Sequence, residues 1–439
     1  MKSNQYLDRI INGISSRDLI GDSAILVSPN GVHRDKQYIL DRIQYWKQFL
    51  TLANVGNILI LHPVSLDTVA IFYACAELGI SVTTNAANNE DEILKKSKDG
   101  GNMLFVDSTW SAESVEIFSS RTNIKVSIIN EQEIDSTFES NRPVYVQSNI
   151  TLDNILVYGT TSGTTANPKT VIHSSETFFN GVSIIANFWE DSDVIGAIGT
   201  FSHAGVIAMT VFPALMKGLT YYAAENLLQL LTNASKCNKL CLWEWNLNSA
   251  KKLISTNGVN SSTLLWGCTV VAGGSTISQR YINEVFALGA KDIISFYGTN
   301  EILVAAFKNY IPNKTDNFSS RGLGTPLPEM ECKIKNNQIL LKSPSTSSYV
   351  VLDEYGFFNT TDYGRYDEHG NIHYLGRDEC SLPDGTEIYA EDIKKIISAV
   401  NDDLLLTEFM LEFEYNEDTK ISNLTVYPFS NKLSETPFK

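Results

Sequence analysis

Residues 156–171 read LVYGTTSGTTANPKTV, and how this stretch folds decides how the rest of the chain is read. The apolar run Ile155-Leu156-Val157-Tyr158 predicts a buried strand feeding a loop of Gly, Ser and Thr that closes on Asn167-Pro168-Lys169. Small residues let a backbone bend until its N–H groups converge on anionic oxygens, and hydroxyls add donors. Pro168 biases Asn167 away from helical geometry, and Lys169 supplies a compact positive charge suited to a polyphosphate. Thr170 to His173 reads as a second strand, whereas a Walker A loop needs Gly directly before its Lys and a helix after it. The loop alone leaves two readings open: a triphosphate cradle of a non-Walker kind, or a surface hairpin with a Ser/Thr-rich turn.

Composition narrows the class. A chain of 439 residues is too long for one simple core, and an apolar fraction of 43% is that of an ordinary globular protein. The net charge of −16 argues against nonspecific binding of nucleic acid or anionic membranes. It also leaves attraction of an anionic ligand to local cations such as Lys169 and Arg377. The start, MKSNQYLDRIINGISS, lacks the apolar core of a secretion signal. The most apolar stretch, Val55 to Ile80, is broken by His62, Pro63, Asp67 and Glu77, so no membrane span is expected. Cysteines at 75, 237, 241, 268, 332 and 380 are scattered. Cys237 and Cys241 have helical spacing but no second pair or nearby His completes a zinc site, so free thiols in a cytoplasmic protein are expected.

Patterning predicts an α/β fold. Asn57–His62 reads as a buried strand, and residues 65–79 as a helix carrying Val69, Phe72, Tyr73 and Leu78. Val82 onward, 102–106 and 125–129 repeat the strand signal, and strands alternating with helices favour a layered, largely parallel sheet. Helices are expected over 175–189 and over Ser278 to Leu288, the second running into a strand at Asp292–Phe296. Residues 331–352 read as short alternating strands, 391–400 as a helix, and Glu408–Tyr415 and Ser422–Tyr427 as strands.

The segment Thr161-Ser162-Gly163-Thr164-Thr165, with Pro168-Lys169 and Val171, resembles the signature of the adenylate-forming superfamily (acyl- and aryl-CoA synthetases, nonribosomal-peptide adenylation domains and luciferases). Ala166 and Thr170 stand where that pattern has Gly. Further motifs follow in the superfamily's order: Phe201-Ser202-His203-Ala204-Gly205, Val271-Ala272-Gly273-Gly274, Tyr297-Gly298-Thr299-Asn300-Glu301 and Gly322-Leu323-Gly324-Thr325-Pro326-Leu327-Pro328. Asn359-Thr360-Thr361-Asp362, then Leu375-Gly376-Arg377-Asp378 with Gly385, Ile388, Glu391, Asp392 and Ile393, complete the series.

The resemblance implies an N-terminal AMP-binding body over residues 1–377, of layered sheets with helices and a small β subdomain at about 320–377. A hinge at Asp378 and a shortened α+β C-terminal domain over 378–439 would follow. It implies ATP and Mg²⁺ as cofactors and activation of a carboxylic acid to an acyl-adenylate, with CoA or phosphopantetheine as acyl acceptor. Residues 160–169 would hold the β/γ-phosphates with Lys169, Glu301 would coordinate Mg²⁺, and Thr299 would lie beside the α-phosphate. Tyr297 would stack on adenine next to Gly298, Asp362 and Arg377 would take the ribose, and Gly273-Gly274 would approach adenine and acyl group. His203 would gate the acyl pocket, or serve only as a structural histidine.

Amino-acid-activating members carry an Asp just after the aromatic of the 201–205 segment, and none stands in residues 201–207 here. A buried ammonium without a counter-charge is costly, so an uncharged aryl or aliphatic acid is expected. Only Lys394 to Lys439 follow the Glu391 segment, about half the length the resemblance implies. Lys432 and Lys439 lack the Gly-Lys context of the lysine that contacts the carboxylate, and Leu382 replaces a hinge Lys. Three possibilities follow: an enzyme complete in itself, acting with CoA or an acyl carrier protein; an adenylating subunit that borrows a lysine from a partner chain; or a non-catalytic binder of nucleotide or acyl-adenylate.

Overall fold

In a computed structural model of the chain, the described residues are 10, 15–84, 103–131, 134–136, 150–160, 170–199, 201, 204–256, 263–274, 277–312, 322–366, 372–377, 379–381, 387–389, 393, 409–416 and 421–428. Two large sheets dominate. A six-stranded sheet runs in the order Lys125–Ile128, Met103–Val106, Asn57–Leu61, Ser81–Thr83, Ile155–Thr160, Thr170–Ser174, parallel except for its last pair. A nine-stranded sheet has a parallel centre, Ile25–Val27, Thr220–Ala224, Val194–Ile198, Lys239–Cys241, Thr269–Gly273 and Asp292–Tyr297, with antiparallel strands at both edges.

Side-chain alternation shows why the sheets lie in layers. Along Asn57–Leu61, Ile58 and Ile60 join the main core while Leu59 joins a separate cluster beneath Phe118 of the helix Ala112–Thr122. Along Thr269–Gly273, Val271 faces the main core, and Val270 and Ala272 face a third cluster with Leu230, Leu247 and Tyr281. Each strand is thus apolar on both faces, as a sheet covered on both sides requires. Between the sheets lie the helices Leu66–Leu78, Ser175–Phe188 and Val211–Lys217, interlocked through Phe72, which is 5.1 Å from Phe178 and 4.5 Å from Phe212 between ring centres. The result is the α/β body of layered sheets expected from the sequence.

Helix ends follow local chemistry. Ser65 caps Leu66–Leu78 through the Thr68 N–H, and Gly79 ends it at φ +69. Ser174 and Ser278 cap Ser175–Phe188 and Gln279–Ala287 in the same way. A four-stranded antiparallel sheet, Glu331–Lys335, Gln338–Lys342, Phe358–Tyr366 and Ile372–Gly376, packs Ile339, Leu341 and Ile372 into the main core. Beyond it, Glu379–Ser381 pairs with Glu387–Tyr389, and Phe409–Asn416 pairs with Ile421–Pro428. Of the helix expected over 391–400, only Ile393 is described; Asp378 lies outside the described residues.

Two expectations are corrected. Strand structure does not continue through 343–352, apart from a single bridge between Leu352 and Phe358. Pro344 has no N–H to give a ladder, and the hydroxyls of Ser345 and Ser347 bond backbone carbonyls elsewhere. Cys237 and Cys241 do not share a helix: Lys239–Cys241 is a strand at the sheet centre, and burial pushes both thiols up to about 12.

The helices Lys36–Ala53 and Leu66–Leu78 are joined by ion pairs in the core. Arg42 and Asp67 are fully buried with Arg42 Nη1 3.5 Å from Asp67 Oδ1, and Trp46 Nε1 donates to that oxygen at 2.7 Å. Arg42 Nη2 also pairs with Asp135, and Lys47 Nζ lies 2.6 Å from Glu77 Oε2. Burial pushes the Asp67 carboxyl up to about 7 against the pull of Arg42 and Trp46. Removing one partner of a buried pair leaves an uncompensated charge. Arg42→Ala is therefore expected to lower the unfolding free energy by about 3–5 kcal/mol, measured from the urea midpoint. A loss below about 1 kcal/mol would show that Asp67 is held neutral and needs no counter-charge.

Candidate functional site

A cleft opens where the nine-stranded sheet meets the four-stranded one, lined among others by Gly274, Tyr297, Lys308, Asp362, Tyr374 and Arg377. Its floor is the carboxyl ends of two parallel strands, Thr269–Gly273 and Asp292–Tyr297, with Gly273 opposite Phe296. Ligands of open α/β sheets bind at such strand ends. Gly274 has φ +80, and a Cβ on Gly273 would lie 3.1 Å from the Phe296 carbonyl oxygen. The two glycines let the chain turn away at the cleft edge without a side chain entering it.

Asp362 is the polar centre. It is 1% exposed, its Oδ2 accepts from the Tyr297 hydroxyl at 2.7 Å, and its Oδ1 accepts from Arg377 Nε at 2.8 Å. A bulge in Phe358–Tyr366 aims it there. Gln338 pairs with Tyr363 and Leu340 with Asn359, so Thr360, Thr361 and Asp362 stand opposite Ile339 alone. Extra residues on one strand bend it and redirect a side chain. Thr361 carries the distortion at φ +63, a rare conformation for a β-branched residue. Burial and then the Asp362 charge raise the Tyr297 pKa, so its hydroxyl stays a donor. Burial alone would lower that of Arg377, but the Asp362 carboxylate outweighs it and keeps the guanidinium charged. A carboxylate offers about four acceptor positions, so two donors leave roughly two for a diol.

At the other end of Tyr297 the chain makes a tight turn. Thr299 O accepts from Leu303 N at 2.7 Å and Ile302 N at 3.2 Å, and Tyr297 O accepts from Ala305 N at 2.8 Å. A Cβ on Gly298 would lie 2.2 Å from Leu303 O, so only Gly fits. Leu303 itself has φ +68, costing about 1–2 kcal/mol, and is held by burial of its side chain against Gly181. Two groups in this turn are left over. Thr299 Oγ1 is buried with no hydrogen-bond partner, and among the described residues the Glu301 carboxylate makes no hydrogen bond or ion pair. No group of three or more His, Cys, Asp or Glu among the described residues could hold a metal by itself. A single carboxylate beside a buried hydroxyl without a partner is a donor set that would suit a cation already carrying phosphate ligands, as Mg²⁺ does with a nucleotide.

The structure thus gathers Gly274, Tyr297, Gly298, Asp362 and Arg377 around one cleft, with Gly273, Thr299 and Glu301 on the adjoining backbone. Thr161, Ser162, Gly163, Thr164, Thr165, Lys169 and His203 lie outside the described residues. The ends of the hydroxyl-rich segment are placed: Thr160 pairs with Thr170 in an antiparallel ladder. Phe201 is a core residue, 5.9 Å from Phe72 between ring centres, whereas a Cβ on Gly205 would meet nothing within 4 Å.

Sequence reasoning missed His173, Ser345 and Ser347. His173 is fully buried, with Nε2 2.7 Å from Asn300 O and Nδ1 3.3 Å from Thr177 Oγ1. A carbonyl only accepts, so Nε2 carries the proton and Nδ1 is the unprotonated nitrogen, facing the Thr177 hydroxyl. A histidine directly after the apolar pair Val171-Ile172 was the available signal.

With this geometry in place, the chain can be set beside known proteins. The profile of the AMP-binding enzymes matches residues 49–344. The chain belongs to this family. VraA of Staphylococcus haemolyticus, provisionally named a long chain fatty acid-CoA ligase, is 24% identical over 321 residues, 68% of this chain and 66% of VraA. The 2-succinylbenzoate–CoA ligase of Escherichia coli is 22% identical over 251 residues, 54% of this chain and 51% of that enzyme. The chain thus spans about half to two thirds of the length of these relatives. The crystal structure of ATP-bound MatB from Rhodopseudomonas palustris superimposes with a TM-score of 0.74 at 15% identity, covering 96% of this chain and 87% of MatB, a likeness of fold. No helix among the described residues is long and apolar enough to cross a membrane.

Burial lowers the His173 pKa to about 4, with the Asn300 bond opposing. Near 6.5 when unfolded, the ring then binds its proton preferentially in the unfolded chain. Its contribution to stability is complete above pH 6.5 and is lost as pH falls through 4. Urea midpoints measured from pH 7 to pH 4 are expected to fall less steeply in His173→Gln than in the native chain; identical slopes would contradict a buried neutral imidazole.

Proposed function

We propose that this protein activates a carboxylic acid with ATP, releasing pyrophosphate, and transfers the acyl group to a thiol such as that of CoA. The observation that carries this reading is the buried Asp362 carboxylate, held by Tyr297 and Arg377 at a cleft whose next turn leaves Thr299 and Glu301 uncommitted. Family membership and the ligase names of the relatives support it.

A carboxylate resists nucleophiles because its leaving group would be oxide. When a carboxylate oxygen attacks the α-phosphorus of ATP, a new P–O bond forms, the bond to pyrophosphate breaks, and the acid acquires AMP as leaving group. A thiolate then attacks the acyl carbon and expels AMP. Asp362 would accept from the ribose hydroxyls, with Arg377 fixing its orientation, while Tyr297 would face the base. Glu301 and Thr299 would hold Mg²⁺ and phosphate oxygens, and Lys169 with Thr161, Ser162, Gly163, Thr164 and Thr165 would take the outer phosphates. Bound Mg²⁺ neutralises charge that builds up on phosphate. Gly205, open on its Cβ side, and the absence of a carboxylate in residues 201–207 favour an uncharged aryl or aliphatic acid. His203 would border that acid.

Exchange of labelled pyrophosphate into ATP, measured over a panel of aryl and aliphatic acids, is expected to be positive with at least one. Glu301→Gln should lower the exchange rate by about 100-fold, and Asp362→Asn should raise the KM for ATP by about 10-fold. ATP binding without exchange for any acid would instead favour a nucleotide-binding protein without catalysis.

A further inference from the structure

The turn that carries Glu301 is held by its carbonyls. Asn300 O accepts from His173 Nε2 at 2.7 Å, Glu301 O from the Ser347 N–H at 2.8 Å, and Ile302 O from Ser345 Oγ at 2.7 Å. Three successive peptide planes are therefore fixed by donors from outside the turn. The donors come from only two places: the strand Thr170–Ser174, which leaves the hydroxyl-rich segment, and the loop 343–347 of the four-stranded sheet. These two are themselves joined, because Ser347 Oγ donates to Ile172 O. A closed ring results, running Ile172, His173, Asn300, Glu301, Ser347 and back to Ile172.

Every donor in the ring is uncharged, and His173, Ser345 and Ser347 are at most 1% exposed. A carboxylate at the centre of charged donors would be drawn to them. Neutral donors instead fix the backbone on both sides of Glu301 and leave its carboxylate unpaired. The left-handed Leu303 that closes the turn shows that this backbone path is not one the sequence would take unaided. Gly181 makes room for Leu303 Cδ1, which lies 2.7 Å from where a Cβ would stand.

We propose that His173 and Ser345 are positioning residues, fixing the backbone on either side of Glu301 so that its carboxylate is held in one direction to meet a metal–nucleotide complex. This rests on the reading of Glu301 as the group that meets Mg²⁺. Neither residue touches the nucleotide; both act through the carbonyls of the turn. Support of this kind around a metal-binding group is worth 10–100-fold in affinity or rate.

The test is ATP affinity measured by calorimetry with Mg²⁺ and with EDTA, which needs no turnover, beside pyrophosphate exchange. Native protein should bind ATP more tightly with Mg²⁺. His173→Ala and Ser345→Ala are expected to lose about 10-fold or more of that gain and of the exchange kcat, while the KM for the acid stays within twofold. His173→Gln, whose amide can donate from the position of Nε2, should recover most of the loss, and His173→Asn should not. Circular dichroism and urea midpoints show which variants are folded, and Ser345→Ala carries the test if His173→Ala is not. Folded variants with the native Mg²⁺ gain and kcat would overturn the proposal. Native protein whose ATP affinity ignores Mg²⁺ would instead refute the role of Glu301, and the proposal with it.

Discussion

The carboxylate of Asp362 is the contact on which the cleft depends. Through it Tyr297, at the end of the strand Asp292–Tyr297 of the nine-stranded sheet, is tied to the four-stranded sheet and to Arg377 just beyond its last strand. A buried charge with two hydrogen-bond donors is stable where a lone one is not. The strained Thr361 beside it places the carboxylate against Tyr297, so strain and burial are concentrated where a ligand has most to gain from a rigid partner.

The remainder of the fold serves to bring strand ends together. Parallel strands covered on both faces must be joined by helices, so their carboxyl ends emerge on one side. Gly273 and Phe296 meet there, and the tight turn from Gly298 to Leu303 starts at the same edge. The small sheet supplies Asp362 from one side and the Ser345–Ser347 loop from the other, so it orders both the nucleoside end and the Glu301 end of the region.

Much of this was legible in the sequence, for identifiable reasons. Strands such as Asn57–Leu61 and Met103–Val106 are short apolar runs, too short for helices of their own, that alternate with helical segments along the chain. The helix expected from Ser278 onward does begin there, with Ser278 as its cap. Tyr297, Glu301, Asp362 and Arg377 stood out because their motifs come in a fixed order. What stayed hidden depends on partners far along the chain. The bulge at Thr360–Asp362 is a mismatch of register with Ile339, and His173 acquires its meaning from Asn300, 127 residues away. The loop 343–352 reads as continuing the alternation of the preceding strands, but the hydroxyls of Ser345 and Ser347 bond the carbonyls of other elements.

The central claim is that the cleft around Asp362 receives the nucleoside and the turn at Glu301 its metal. A crystal structure of the protein with a nonhydrolysable ATP analogue and Mg²⁺ tests it most directly. The account predicts ribose hydroxyls against Asp362, the base beside Tyr297 and the ion against Glu301. An analogue bound elsewhere, with the Tyr297–Asp362–Arg377 contacts unchanged and nothing between them and Gly274, would contradict it.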